Sequence, residues 1–161
     1  MKNNIETFEK ISTNLRYELI KLIHKTKTSH LGSSLSCIDI LVGIYFSKNG
    51  IGSNANNKKN LKNTFILSKG HAAPALYVVL ERKKYISKKM LNTYSKPKSY
   101  LEEHPNININ GVLVSSGSLG HGLSYAAGMS LADKITKKNN KHIVLMSDGE
   151  CNEGSVWEAA M

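Results

Sequence analysis

The sequence predicts an α/β domain of the doubly wound type, with a parallel sheet, on three observations. TFILS (64–68) and HIVLM (142–146) are short apolar runs of strand length. Helical patterns precede, separate and follow them, and that alternation is the signature of parallel pairing. Glycine-rich or polar breaks, SKGH (68–71), GSLGHG (117–122) and SDG (147–149), fall at the ends of these runs or ahead of helices. Open parallel sheets bind ligands beyond the carboxyl ends of their strands. Two firm strands are few for such a sheet, so residues 1–161 read as the first part of a domain truncated on its C-terminal side.

Taken in order, Ile5, Phe8, Ile11, Leu15, Leu19, Leu22 and Ile23 recur three or four apart and predict an amphipathic helix over 4–27. TKTSHLGSS (26–34) breaks it. Ser36 with Asp39 has the spacing of a capping box that opens a second, largely buried helix in CIDILVGIYF. Residues 47–63, rich in Gly, Asn and Lys, read as a surface loop. After TFILS, residues 72–84 read as a helix with Pro74 in its first turn, where the missing N–H costs nothing. A shorter helix over 87–95 follows Ser87, and 96–111 is irregular. VLVSS (112–116) reads equally as a strand or as an extended lead into the glycine turn. Residues 123–138 form a helix whose Ala126, Ala127 and Gly128 offer a thin face for close packing. HIVLM is the clearest buried strand.

Composition bounds the function. The chain has 161 residues, 40% hydrophobic, with a formal charge of +10, which is enough apolar material for a core and too much for a disordered chain. The N-terminal stretch contains acids and no uninterrupted apolar block, so it is not read as a signal peptide. Cys37 and Cys151 share no metal or redox spacing and are expected as reduced thiols in a cytoplasmic protein, Cys37 in the core. The lysines are scattered and aromatic residues are not interleaved with them, which argues against a nucleic-acid platform. A positive field suits phosphorylated small molecules.

The candidate chemistry lies in the breaks. His30, His71, His104 and His121 all occupy turns beside Gly or Pro, whereas His24 and His142 fall on a helix and at a strand start and read as structural. A turn histidine is ordinary by itself; four at loop positions point to a site. None has zinc spacing. Asp148, delivered by a strand and followed by Gly149, suits a hard divalent cation shared with a diphosphate, although Asp-Gly is also a common turn. No P-loop motif is present. Ser155 to Glu158 fits a capping box, which gives Glu158 a structural reading beside any functional one.

SHLGSSLSCIDIL, FILSKGHAAPALY, VSSGSLGHGLSYAAGMSLA and MSDGECNEGSVWEAAM resemble, in order and spacing, the N-terminal region of transketolases, above all the split type in which two polypeptides share the work. The resemblance covers nearly all of the chain from about residue 10 onward. It implies the diphosphate-binding domain of the thiamine diphosphate (ThDP) fold, present in part. It also implies ThDP held through Mg²⁺ or Ca²⁺, with Asp148 as a metal ligand and Gly149 letting the backbone approach the diphosphate. Gly117 and Leu119 would lie along the aminopyrimidine. His121 falls in the same turn, where relatives often carry glutamine. His30, His71 and His104 would line the channel to the thiazolium, binding diphosphate or sugar hydroxyls and assisting proton transfers. Glu153 and Glu158 would sit at a subunit interface near the cofactor. The implied reaction moves a two-carbon ketol unit between sugar phosphates. A partner subunit carries the pyrimidine-binding domain and the activating glutamate, in a homo- or hetero-oligomer with no membrane and no nucleic acid involved. Two departures stand out: Ser147 replaces the usual glycine, and the asparagines that close the family's cofactor motif do not occur before residue 161. The fragment alone is therefore expected to be inactive. A deoxyxylulose-phosphate-synthase-like enzyme and a non-catalytic basic or scaffold module are the competing readings.

Overall fold

The structure, a computed structural model, describes residues 2–47, 51 and 63–161. The expected Lys/Asn-rich loop (47–63) lies almost wholly outside the described residues. The first helix, α1 (Lys2–Thr26), buries Leu15, Leu19, Leu22 and Ile23 and leaves Tyr17 and Ile20 to solvent, as its spacing requires. It ends where Lys27 takes a left-handed φ of 57° and returns its N–H to the Ile23 carbonyl.

A short helix that the periodicity did not reveal, α2 (Leu31–Leu35), precedes α3 (Ile38–Phe46). The expected capping box does not form. Ser36 caps the end of α2 instead and donates its hydroxyl back to Ser33 O at 2.9 Å. Asp39 pairs with Arg16 of α1 rather than reaching back to the chain at Ser36. Ile38, Leu41, Val42 and Tyr45 turn one face of α3 into the core, while Asp39, Ile40 and Gly43 are exposed, so the helix is half-buried rather than largely buried.

β1 (Thr64–Leu67) pairs in parallel with β2 (His142–Leu145), with Thr64 opposite His142 and Leu67 opposite Leu145. Between them runs a crossover of helices. α4 (Ala73–Arg82) is buried from Ala73 through Leu80 and packs against α1 and α3. Pro74 sits in its first turn as expected. Fully burying such side chains stabilises by about 1.5–3 kcal/mol each before conformational entropy is counted. α5 (Lys88–Leu91) is capped by Ser87, which accepts the Met90 N–H at 3.1 Å. It stops short of residue 95, where Ser95 turns to φ 57° and bonds Leu101 O.

VLVSS is not a strand: Ser116 donates to Pro105 O at 3.3 Å, folding the segment onto its own loop. The glycine turn leads into α6 (His121–Ile135), then β2, a 3-10 turn at Gly149–Asn152 and α7 (Gly154–Ala160). Along α6, Ala126 is buried, but Ala127 and Gly128 are exposed and nothing lies within 4 Å of a Cβ placed on Gly128, so the expected close packing is absent among the described residues. The expectation that HIVLM is the best-buried strand is reversed. β1 is buried at every position, whereas only Leu145 of β2 is buried: Phe65 and Leu67 of β1 pack into the helical core, and of β2 only Leu145 is a buried member of it. His142 is structural as expected: its Nε2 lies 2.9 Å from Asp133 of α6 and its Nδ1 2.7 Å from Thr64 of β1. Cys37 is buried in the core, and its burial pushes the thiol pKa up. No helix among the described residues is long and apolar enough to cross a membrane.

Candidate functional site at the strand ends

A serine follows each strand, Ser68 directly after β1 and Ser147 two residues beyond β2, and each opens a turn. Beyond β1, Ser68-Lys69-Gly70-His71 bends into a 3-10 turn at Gly70–Ala72. Gly70 has to be glycine there, since a Cβ would sit 2.9 Å from the carbonyl of Ser116. That close approach brings the His71 loop against the Ser116–Gly117 backbone. Beyond β2, Ser147-Asp148-Gly149 opens the second 3-10 turn.

Three of the histidines expected at the site come together. The His30 and His71 rings are 5.2 Å apart between centroids. A Cβ on Gly117 would lie 3.6 Å from the His104 ring. The segments that carry His30 and His104 are tied at their neighbours, Ser29 donating to Glu103 at 3.3 Å. The His104 loop is anchored from the core, where the Tyr77 hydroxyl lies 3.0 Å from both the Glu102 and the His104 carbonyl oxygens. His30 holds a left-handed backbone (φ 67°) at the start of α2, a conformation that non-glycine residues adopt at some cost. Burial holds the pKa of His71 below its ordinary value, and the charge of Lys69 and the neighbouring His30 and His104 act in the same direction; Glu150 opposes them. A neutral imidazole offers one donor and one acceptor nitrogen. His121 is exposed at the start of α6 and lines a small pocket of about 70 Å³ with Gly117, Ser118 and Tyr125. Leu119 is half-buried in the same turn. Two roomier grooves, of about 340 and 320 Å³, lie along α1 and are lined by none of these residues.

Asp148 is exposed, and its carboxylate makes no hydrogen bond or ion pair among the described residues. No group of three potential metal-ligating side chains is assembled there among the described residues. Gly149 has open space where a Cβ would be. Glu153 and Glu158 are exposed. The capping box expected of Ser155 and Glu158 does not form, because Glu153 occupies the N-cap of α7 and no side chain caps it.

Sequence reasoning missed the group at the centre. Glu150 is completely buried. Its Oε1 accepts the Ser68 hydroxyl and the Gly120 N–H (2.8 Å), and its Oε2 accepts the Ser147 N–H at 3.1 Å. Ser68 in turn accepts the Gly122 N–H at 3.1 Å. The first amides of α6 are thus satisfied from inside the protein, and a carboxylate beside a helix N-terminus is favoured by its dipole. Gly120 (φ 85°) and Gly122 are glycines for packing: a Cβ on either would come 2.4 Å from a serine oxygen, Ser155 and Ser68 respectively. Lys69 is also buried, donating to Ser33 O at 3.1 Å. No local sequence signal marks Glu150, since its Ser68 partner lies 82 residues away along the chain.

This arrangement, with imidazoles clustered beside the end of a parallel strand and an exposed carboxylate beyond its neighbour, is that of a ligand-binding α/β domain. The family described as "Transketolase, thiamine diphosphate binding domain" matches residues 8–161, and the chain belongs to it. It is 41% identical over 157 residues to an apulose-4-phosphate transketolase subunit of Phocaeicola vulgatus, a match covering 98% of this chain and 56% of that protein. It is 36% identical over 148 residues to a 6-deoxy-6-sulfo-D-fructose transketolase subunit of a Clostridium species, covering 91% and 54%. The chain spans about half the length of these relatives. Transketolase from Leishmania mexicana has the same fold, with a TM-score of 0.83 at 22% identity over 94% of this chain and 24% of that one.

Proposed function

We propose that this chain is the N-terminal, diphosphate-binding section of a split transketolase. Joined to a partner subunit carrying the pyrimidine-binding domain, it transfers a two-carbon ketol unit from a ketose phosphate to an aldose phosphate. The single observation that carries this reading is the convergence of His30, His71 and His104 at the strand ends that also deliver the unpaired Asp148, on a scaffold of the transketolase family.

The residues present fit ThDP and a divalent cation. Asp148 is a carboxylate with no internal partner among the described residues, and Mg²⁺ sites characteristically use one or two carboxylates with phosphate oxygens completing the shell. Asp148 would hold Mg²⁺ or Ca²⁺ and Gly149 would face the diphosphate, while Gly117, Leu119 and His121 would border the aminopyrimidine. ThDP, when bound, supplies the carbon nucleophile and electron sink that ketose cleavage demands. The chain's own contribution is to bind, orient and move protons. His71, kept neutral by burial, accepts a hydroxyl proton on one ring nitrogen while its other N–H donates. His30 and His104 flank it and donate to substrate oxygens. Glu153 at the start of α7 and Glu158 on it, both exposed, would meet the partner subunit.

The test is a ketol-transfer assay on the full chain combined with its partner. The donor panel includes apulose-4-phosphate and 6-deoxy-6-sulfo-D-fructose, the ketoses in the two relatives' names. Turnover should require ThDP, divalent metal and both subunits. Turnover only with pyruvate as donor would point to a synthase instead, and none with any donor would remove the enzyme reading.

A further inference from the structure

Glu150 lies in no part of the proposed cofactor contact, yet the structure spends a buried carboxylate on it. We infer that Glu150 is a positioning residue, whose side chain fixes the turn bearing Asp148 against the His71 loop and the Gly117–Leu119 turn. The inference rests on the transketolase reading above.

A buried carboxylate is costly unless donors surround it. Glu150 has such donors, and their origin is the informative point. Ser68 is three residues before His71, Gly120 lies between Leu119 and His121, and Ser147 is the neighbour of Asp148. One side chain therefore holds three of the segments that carry candidate site residues, those of His71, of Gly117–His121 and of Asp148. A simple helix cap would need only Gly120, and an apolar residue of similar volume would fill the space at lower desolvation cost. The segments have little freedom to slide. Gly70 touches the Ser116 backbone and Gly122 touches Ser68, so a change in the Glu150 bridge is passed directly to the loops. Groups behind a metal ligand orient it, and their loss typically weakens metal binding about 10–100-fold.

Glu150→Gln separates positioning from bulk stability. The amide matches the carboxylate in volume. Its oxygen can keep the Ser68 and Gly120 donors, but its NH₂ then meets the Ser147 N–H, donor against donor. The Asp148 turn alone should loosen. The experiment is calorimetric titration of ThDP with Mg²⁺ into the full chain assembled with its partner, below the unfolding temperature of every variant. Wild type, Glu150→Gln and Leu41→Ala are compared, Leu41 being fully buried in α3 and on none of the segments that Glu150 bonds. Ketol transfer at saturating cofactor is followed in parallel. The expected result is an apparent ThDP dissociation constant raised about tenfold or more in Glu150→Gln, with sugar KM unchanged once cofactor saturates, and an unchanged constant in Leu41→Ala. Unchanged affinity in Glu150→Gln, or an equal loss in Leu41→Ala, overturns the inference. If Glu150→Gln does not assemble, Ser68→Ala removes one donor and should weaken cofactor binding about three- to tenfold; no loss there overturns it as well. Wild type that ignores ThDP would instead overturn the transketolase reading, and the role of Glu150 with it.

Discussion

The helical core formed by α1, α3 and α4 and the junction at the strand ends are held by different physics. The core is mainly Leu, Ile, Val, Ala and Tyr, packed chiefly by apolar contact, with few directional side-chain bonds such as those of the Tyr77 hydroxyl. The junction, Ser68, Gly120, Gly122, Ser147 and Glu150, is small and polar, and its cohesion is a set of hydrogen bonds centred on one buried carboxyl group. A core tolerates exchange of one apolar shape for another of similar volume. The junction tolerates no such exchange, because each group has one donor or acceptor in one place. The core sets whether the chain folds; the junction sets where its loops sit.

The largest effect that would sharpen this contrast belongs to Asp148. In the assembled enzyme Asp148→Ala should abolish metal-dependent ThDP binding and turnover while leaving the melting temperature unchanged, since its carboxylate bonds nothing within the described residues. Normal turnover would favour a scaffold role. Core truncation should show the reverse profile. Leu41→Ala, at 0% exposure, should cost about 2–5 kcal/mol in denaturant unfolding with cofactor affinity intact.

Gly122→Ala lies between the two. Its Cβ would meet Ser68 Oγ at 2.4 Å, and Ser68 also holds Glu150. Overpacking there should cost about 1–3 kcal/mol and weaken cofactor binding as well. A loss of stability alone would break the proposed distinction between the regions.

The pH response of His71 is smaller. Its folded pKa is depressed, so between that value and the ordinary 6.5 the unfolded chain binds more protons. The contribution to stability is fully present above 6.5 and falls as pH drops through 6.5 towards the folded value. Below the folded value no further loss arises from this group. NMR titration should give a His71 midpoint below 6.5; a midpoint above it would contradict the site as described. The smallest effect is expected from the exposed Arg16–Asp39 pair. The Arg16 guanidinium lowers the Asp39 pKa, yet Asp39→Asn should change stability by less than about 1 kcal/mol.

Much of this was legible in the sequence, for identifiable reasons. α1 announced itself because its apolar spacing is long and regular, α4 because Pro74 falls in the first turn of a helical stretch, and the two strands because they are short apolar runs. The site histidines stood out because four of them fall together at loop positions, and Asp148 because it follows a strand and precedes Gly149. Both capping boxes failed because a serine has several backbone partners within reach: Ser36 found Ser33 behind it, and Glu153 took the N-cap ahead of Ser155. Glu150 was invisible because its partners lie up to 82 residues away, and no local pattern records that distance. The burial of β2 was overestimated because hydrophobicity says what a strand can bury, and its neighbours decide what it does bury.

The most direct test of the central claim is a crystal structure of the full chain with its partner, ThDP and Ca²⁺, with the ion located by its anomalous signal. The account predicts a single ion about 2.3–2.6 Å from a carboxylate oxygen of Asp148, sharing the cofactor's diphosphate, with Glu150 buried behind it and still accepting the Ser147 N–H. An ion bound elsewhere, with the Asp148 carboxylate turned to solvent, would contradict it.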